Sequence, residues 1–481
     1  GEVLIMGLLF RIAGFTPFVG LLFLNAFVDL GHKIIVQNTV FKVFDGQVQI
    51  ILTAIVNGLI LLPFVLLFTP AGFISDRFQK PRVMRISAMF VVGLTLLITL
   101  CYYNGWFDVA FVITFLLAIQ SAFFSPAKYG YIKEVAGNEL LASANAVVQA
   151  VTIVAILAGT FFYSVLFEAQ LDGLSWENES ELLTLIAPIG WVLVACASVE
   201  LLLAFRLTTP RTQTAPIRFD WQRYVKGSYL KSNLHAIHEN RTIWLSIIGL
   251  AVFWAISQVL LASFPSHAKD HLGETSTVIV QGIMACAGLG IILGSLIAGR
   301  ASRHYIEAGL IPLGSLGIVI ALLFIPFLES TWLLAGLFFM LGMFGGMLIV
   351  PLNALIQFNA SDDRLGTVLA GSNWVQNVVM LAFLLLTVVF AATGTDSYGL
   401  FAILAVVALV GTVYTIMRLP YSLVRYTIAF LFAGWYRIDV QGFRNIPAQG
   451  SVLMLGNHIS WLDWAFAAIA SPRPIHFVMF R

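Results

Sequence analysis

Charge is what this sequence has least of. Asp, Glu, Lys and Arg supply 10% of its 481 residues, against about 25% in soluble domains, and that scarcity excludes a water-soluble globular protein. Hydrophobic residues make up 59% and the mean hydropathy is +0.93, so the chain reads as a polytopic membrane protein. The formal net charge of +2, with no polybasic tail, gives no reason to expect a nucleic-acid partner. Basic residues matter here by position rather than by sum. Cysteine is scarce too. Cys101, Cys196 and Cys286 stand singly inside apolar segments, with neither paired spacing nor neighbouring histidines. They read as small core residues, and neither a metal site nor a cofactor is expected. A short cleavable signal is also missing, which leaves the first long apolar segment as an uncleaved insertion signal. Gly1 is not a natural start, and a few residues are expected before it.

What the chain does have is apolar runs long enough for a bilayer, which takes about 20 helical residues. They fall at 12–40, 48–75, 82–104, 107–126, 138–167, 182–206, 242–268, 275–299, 305–328, 331–357, 365–392 and 397–418. Twelve such runs predict an all-α polytopic membrane protein. The polar stretch 207–241, the longest interruption before residue 420, reads as a cytoplasmic linker between two six-helix halves, 1–206 and 242–419.

Lysine and arginine set the orientation, because short cytoplasmic loops retain them. Arg77, Lys80, Arg82 and Arg85 follow span two, Lys128 and Lys133 follow span four, and Arg300 and Arg303 follow span eight. The linker holds Arg211, Arg218, Arg223, Lys226 and Lys231. The loops after spans three, nine and eleven have none; between spans five and six stand only the acids Glu168, Asp172, Glu177, Glu179 and Glu181. Both termini are therefore expected in the cytoplasm.

The halves read as repeats. Gly72-x3-Asp76-Arg77-x2-Lys80-x-Arg82 has a degraded echo in Ser295-x3-Gly299-Arg300-x2-Arg303, at an offset of 223 residues from Asp76 to Gly299. Ser125-Pro126-Ala127-Lys128 corresponds to Val350-Pro351-Leu352-Asn353 at an offset of 225. Paired six-helix repeats with the site between them are an architecture of the major facilitator superfamily, and the segment from Gly72 to Arg82 resembles that superfamily's signature loop. The resemblance implies a twelve-helix major facilitator fold and a gating role for Asp76 and Arg77. Gly72 would let helices approach closely, while Asp76, Arg77, Lys80 and Arg82 would form a charge relay closing the cytoplasmic side. With glycine in place of the aspartate, the relay through Arg300 and Arg303 is expected to be weaker. The basic residues can equally serve only to enforce topology.

Ionisable groups at mid-membrane cost about 2.5–3.5 kcal/mol on insertion scales and usually face a cavity. Span one carries Asn25, Asp29 and Lys33, the last two on one helix face where they can neutralise each other or engage a zwitterionic headgroup. Asn145, Gln149 and Thr152 line a face of span five, and Asn373, Gln376 and Asn377 a face of span eleven. Gln120, Gln258, Gln281, Asn353 and Gln357 stand singly, and any of these amides can simply bond a neighbouring helix. Only Asp29 and Glu200 are carboxylates deep within spans, too few for a typical sugar or proton-coupled carrier. An amphiphilic cargo fits better.

Phe23-Leu24-Asn25-Ala26-Phe27-Val28-Asp29, Ser125-Pro126-Ala127-Lys128-Tyr129-Gly130 and Val350-Pro351-Leu352-Asn353-Ala354-Leu355-Ile356-Gln357 resemble the bacterial lysophospholipid transporter family over residues 10–418. That resemblance implies flipping of lysophospholipids, notably lysophosphatidylethanolamine, from the outer to the inner leaflet of the bacterial inner membrane. Asp29 and Lys128 match charged positions of the family pattern. Lys128 suits a phosphate, or acts as a topology determinant. The substrate-binding candidates are thus Asn25, Asp29, Lys33, Lys128, Gln149, Asn353, Asn373 and Asn377. The chain departs from the pattern at Leu30-Gly31-His32-Lys33, so charge pairing around the headgroup is expected to be particular to it.

Beyond Pro420 the character changes. Residues 421–436 predict an interfacial segment; 437–441 and 452–455 read as strands, 445–447 as a turn, a helix starts near Trp461, and 475–480 is a last strand. Gly456-Asn457-His458-Ile459-Ser460-Trp461-Leu462-Asp463 carries a His-x4-Asp spacing. A histidine can take a proton from a glycerol hydroxyl while a nearby carboxylate fixes its tautomer. A bare His-x4-Asp is a weak signal, but in this setting the peptide resembles the glycerophospholipid acyltransferase family. The resemblance implies catalytic roles for His458 and Asp463, with acyl carrier protein or coenzyme A thioesters as acyl donor. The join resembles bacterial proteins in which a lysophospholipid transporter precedes an acyltransferase and an acyl-carrier-protein synthetase. Residues 420–481 thus read as an interfacial segment and a partial α/β acyltransferase domain. The chain stops 18 residues after Asp463, before any Phe-Pro-Glu-Gly-type phosphate-holding segment, so this portion is expected to be catalytically incomplete. Two readings stand: a flippase whose tail acylates what arrives, or an enzyme whose spans are an anchor or carry an unrelated small molecule.

Overall fold

In hydrocarbon an apolar run has no water to satisfy its amides, so it must close its hydrogen bonds within itself. The computed structural model, which describes residues 8–209, 220–302, 305–361, 365–442, 445–447, 450–471 and 473–477, is accordingly helical. Its helices are α1 Phe15–Val43, α2 Gly46–Leu66, α3 Phe68–Arg77, α4 Lys80–Tyr103, α5 Phe107–Leu171, α6 Glu179–Leu185, α7 Ile189–Phe205, α8 Trp221–Val225, α9 Ser228–His238 and α10 Arg241–Leu272. They continue as α11 Thr277–Ala301, α12 Leu310–Phe324, α13 Thr331–Asn359, α14 Leu365–Ala392, α15 Ser397–Arg418, α16 Pro420–Ala433 and α17 Asp463–Ala470. Among the described residues eleven helices are long and apolar enough to cross a membrane, or twelve if the pair α6 and α7, bent by 60°, is one span. Asn178, Asp220, Asn240 and Asp396 each accept amide hydrogen bonds at the starts of α6, α8, α10 and α15, as residues of this type do at N-caps.

Proline and glycine shift several expected boundaries. The second span stops at Leu66 and resumes as α3, because Pro70 in the first turn of α3 has no N–H to give the Leu66 carbonyl and its ring crowds that carbonyl. The fourth span does not stop at Pro126. Helix runs on through Lys128 and Lys133 to Gly137, where φ is 65° and ψ −179°, before the fifth span begins. The expected linker contains the short helices α8 and α9; Arg211 and Arg218 lie outside the described residues.

Two corrections concern the tail and the signature loop. No strand occurs among the described residues: 437–441 and 452–455 have no ladder partner, and Leu453 and Leu455 are 81% and 89% exposed. A strand needs a neighbour to receive its hydrogen bonds, and these segments find none; residues 478–480 of the last expected strand lie outside the described residues. Gly72 is not a point of close approach, since a Cβ there would meet nothing within 4 Å.

Close approach occurs elsewhere. A Cβ on Gly290 or Gly294 of α11 would lie 1.9 Å from the carbonyl oxygens of Phe339 or Met343, and one on Gly342 of α13 would lie 1.8 Å from that of Ala287. These small residues, four apart on α11, bring two helix backbones into contact, as in membrane helix pairs generally. Gly342→Leu is expected to destabilise the C-terminal half by about 1–3 kcal/mol or more, seen as a lower unfolding midpoint in detergent; an unchanged midpoint would contradict the packing.

Buried apolar side chains collect into one large cluster drawn mainly from α10 to α15, and two drawn from residues 9–207. The divergent His32 belongs to this packing. It is fully buried, with Nδ1 2.7 Å from the Tyr102 hydroxyl and Nε2 2.8 Å from the Ala110 carbonyl, so it ties α1 to α4 and α5 rather than facing a headgroup. The halves meet along α2 with α14, and α5 with α11.

Candidate functional site

At the end of the bundle opposite the basic loops, each half caps helices of the other. Glu168, near the end of α5, accepts hydrogen bonds from the Thr277 amide at 2.7 Å and its hydroxyl at 2.8 Å. Thr277 is the first residue of α11, so a carboxylate of one half sits on a helix N-terminus of the other, where the dipole favours negative charge. Lys42 of α1 pairs with Glu168 at 3.0 Å and donates to the Thr275 carbonyl at 2.7 Å.

The reciprocal cap comes from α10. Lys269 donates to the carbonyls of Phe41 and Phe44 at the end of α1, at 2.5 and 3.0 Å, and stands 2.7 Å from Asp45. Asp270 accepts from the Gly46 amide at the start of α2 at 3.1 Å. Beneath these contacts the Gln281 amide donates to Asn38 at 3.3 Å, and Asn38 donates to Ser164 at 3.2 Å. This end is shut.

None of these capping charges except Glu168 figured in the sequence reading, and Glu168 only as a loop acid. A signal existed: Lys42 and Lys269 are 227 residues apart, and Asp45 and Asp270 225, nearly the duplication offset.

Deeper in the N-terminal half lie two of the expected residues with unexpected partners. Asn25 donates to Glu200 at 2.9 Å, both buried, joining α1 to α7. Asp29 accepts a hydrogen bond from Ser121 of α5. It makes no ion pair with Lys33 among the described residues, and its Oδ1 is buried without a hydrogen-bond partner. Lys128, seven residues beyond Ser121 on α5, is two turns and about 10 Å along the same helix face; it is half-buried with its ammonium 4.6 Å from the Tyr129 ring centre. Asn25, Asp29 and Lys128 thus border the packing of α1 on α5 and α7, with Lys33 one turn from Asp29.

The other candidates are not joined to this group. Gln149 and Asn373 are exposed, Asn353 is half-buried, and Asn377 donates to the Asn373 carbonyl of its own helix at 2.8 Å. In the signature loop Asp76 and Arg77 are exposed, and Arg82 lies 5.8 Å from the Phe78 ring. Lys80 pairs with Glu134 at 3.6 Å, and Arg85 caps the end of α7 through the Ala204 and Leu207 carbonyls. Arg300 is exposed, and Arg303 lies outside the described residues.

The His458 to Asp463 peptide folds into a tight turn. Asp463, first residue of α17, accepts from the amides of Ile459 at 2.5 Å and Ser460 at 2.8 Å, and its Oδ2 stands 3.0 Å from His458 Nδ1. The backbone amides of Ser460 and Ile459, and then His458, hold this carboxyl below its ordinary value of 3.8. An ionised carboxylate at Nδ1 places the proton there and leaves Nε2 as the base. The His458 side chain is 83% exposed, so Nε2 is reachable by a hydroxyl.

Comparison with known proteins follows this division. Residues 4–383 match the family model of the Major Facilitator Superfamily and residues 437–481 that of Acyltransferase. The lysophospholipid transporter LplT of Citrobacter koseri is 30% identical over 358 residues, covering 72% of this chain and 82% of that protein. The LplT of Photorhabdus laumondii is 28% identical over 329 residues, covering 67% and 75%. Among solved structures, the nucleoside transporter NupG superposes with a TM-score of 0.59 at 12% identity, over 83% of this chain and 98% of that one. A bacterial homologue of the human lysosomal transporter Spinster, inward-facing and unoccupied, gives 0.56 at 14% identity, over 85% and 94%. At such identities the likeness is one of fold.

Proposed function

Because the chain belongs to the Major Facilitator Superfamily, we propose that its halves alternate around the Asp29 and Lys128 region to carry lysophospholipids across a bacterial inner membrane, inward, for reacylation at His458. The observation that carries this reading is the formed His458–Asp463 turn on the same chain as a transporter fold, with relatives named lysophospholipid transporters. The basic loops orient the capped gate outward and the histidine toward the cytoplasm. Lysophosphatidylethanolamine is the preferred cargo: Lys128 takes its phosphate and Asp29 its ammonium, while the single acyl chain lies between helices. Asp76, Arg77, Lys80, Arg82 and Arg300 close the opposite, cytoplasmic end when the gate opens. At His458 the lysolipid hydroxyl gives its proton to Nε2 and attacks an acyl thioester from acyl carrier protein or coenzyme A; the new ester bond replaces the thioester bond, and the thiolate leaves with that proton.

Reconstituted protein is expected to flip lysophosphatidylethanolamine. Asp29→Asn and Lys128→Ala should each slow flipping about tenfold or more, the worth of one charged hydrogen bond. Unimpaired flipping in both variants would remove these residues from the site. Wild-type protein that acylates without flipping would instead make the spans an anchor.

A further inference from the structure

The helix after the last span is fastened to the transporter by a buried ion pair. Arg425, in the middle of α16, is 3% exposed. Its Nη2 lies 2.6 Å from Glu307 Oε1, with the Glu307 side chain 4% exposed. Its other terminal nitrogen, Nη1, donates to the Tyr305 hydroxyl, and the guanidinium carbon sits 4.4 Å from the Tyr305 ring centre. Glu307 is satisfied further: Oε1 accepts from the Gly309 amide at 3.1 Å and Oε2 from the Tyr305 hydroxyl at 3.2 Å. Removing two opposite charges from water is costly, and such a pair persists only where hydrogen bonds complete it. Burial raises the Glu307 carboxyl above its ordinary value and the neighbouring Arg425 pulls it back. At Gly309 a Cβ would lie 2.2 Å from the Ser422 carbonyl, so the loop between α11 and α12 touches the backbone of α16 itself.

The contacts continue to the histidine. Phe466 of α17 meets Phe432 of α16 and Tyr436 edge-on, each at 5.4 Å between ring centres. Asp463, the first residue of α17, holds His458. Helix α16 packs on α12 and α15, both of the C-terminal half. A continuous series of packed and hydrogen-bonded groups therefore runs from the α11–α12 loop to the catalytic turn.

We infer that Arg425, Glu307 and Tyr305 form a docking knot that makes the His458–Asp463 turn a part of the C-terminal half, so that the turn travels with that half as the transporter rocks. Arg425 and Glu307 are positioning residues: they reach the chemistry only through α16 and α17. The knot keeps the base at one distance from the mouth of its own half, while the N-terminal half moves past it. The inference rests on the proposed alternation of the two halves, but not on the nature of the cargo.

Double electron–electron resonance on the protein in lipid nanodiscs tests it. Spin labels replace exposed Trp461 within the turn, exposed Ser361 between α13 and α14 of the C-terminal half, or exposed Gln79 on the N-terminal half, taken in pairs, with the three native cysteines substituted. The Trp461–Ser361 distance is expected to be narrow and unchanged by lysophosphatidylethanolamine, while Trp461–Gln79 shifts. Glu307→Gln should broaden Trp461–Ser361 at least twofold, and Arg425→Lys should do so to a lesser degree. Arg425→Met combined with Glu307→Leu should recover a narrow distribution, because a packed apolar pair can replace a buried ion pair. A Glu307→Gln distribution as narrow as that of wild type would overturn the knot. So would a Trp461–Ser361 distance that moves as far as Trp461–Gln79. The Gln79–Ser361 pair reports rocking separately: if it does not respond to lysolipid, the transport reading fails, while the Trp461–Ser361 width still decides the docking.

Discussion

Replacing His458 with alanine is expected to lower acyl transfer to lysophosphatidylethanolamine about 10²–10⁴-fold, the usual worth of a positioned general base, with the rate of flipping unchanged. The measurement belongs in the natural full-length protein, with both activities assayed on one preparation. Independence of the two rates follows from geometry: the turn lies outside the spans and, among the described residues, shares no hydrogen bond with Asp29, Lys128 or the capped end. Asp463→Asn should also depress acylation, since an amide no longer favours the Nδ1 proton. Its pH behaviour follows from a depressed carboxyl held by the Ser460 and Ile459 amides. The stabilisation from the ionised form is complete above the ordinary value of 3.8 and is lost only as the pH falls through the lower folded value. The turn should therefore survive mild acid. Acylation that survives His458→Ala would show that another base does the work.

Removing both cross-half caps, in a Glu168→Ala and Lys269→Ala double variant, is expected to open the shut end. A charge on a helix terminus is worth about 0.3–1 kcal/mol exposed, and up to about 2 kcal/mol when partly buried. The Glu168 and Lys269 side chains are only 27% and 19% exposed, so about 1–2 kcal/mol per cap is apt. Each loss then shifts the equilibrium roughly 5–30-fold. A cysteine at Asn38, just beneath the caps, reads this out as faster labelling by an impermeant thiol reagent added outside sealed cells. Unchanged labelling would mean that the caps do not hold the gate, or that this end faces the cytoplasm.

The spans were legible because membrane insertion is a local demand. Twelve apolar runs had to become helices wherever they packed, and the boundary errors fall at Pro70 and Gly137, where backbone chemistry overrides hydropathy. The His458 turn was legible for the same reason: its partners stand within five residues, and an aspartate at a helix start finds free amides nearby. The expected strands failed because a ladder requires a distant neighbour, and the Gly72 expectation failed because a small residue permits a close approach without supplying the helix that makes it.

By itself, then, the sequence determined that this chain is a bundle of membrane helices carrying a histidine–aspartate turn, since both follow from interactions within a few residues. Only the tertiary structure decided what the polar side chains do. Asp29 turns to Ser121 rather than Lys33, Glu168 caps α11 from 109 residues away, and Arg425 finds Glu307 across 118. A buried charge takes the complementary group that packing brings to it, and that choice is set by which helices lie side by side.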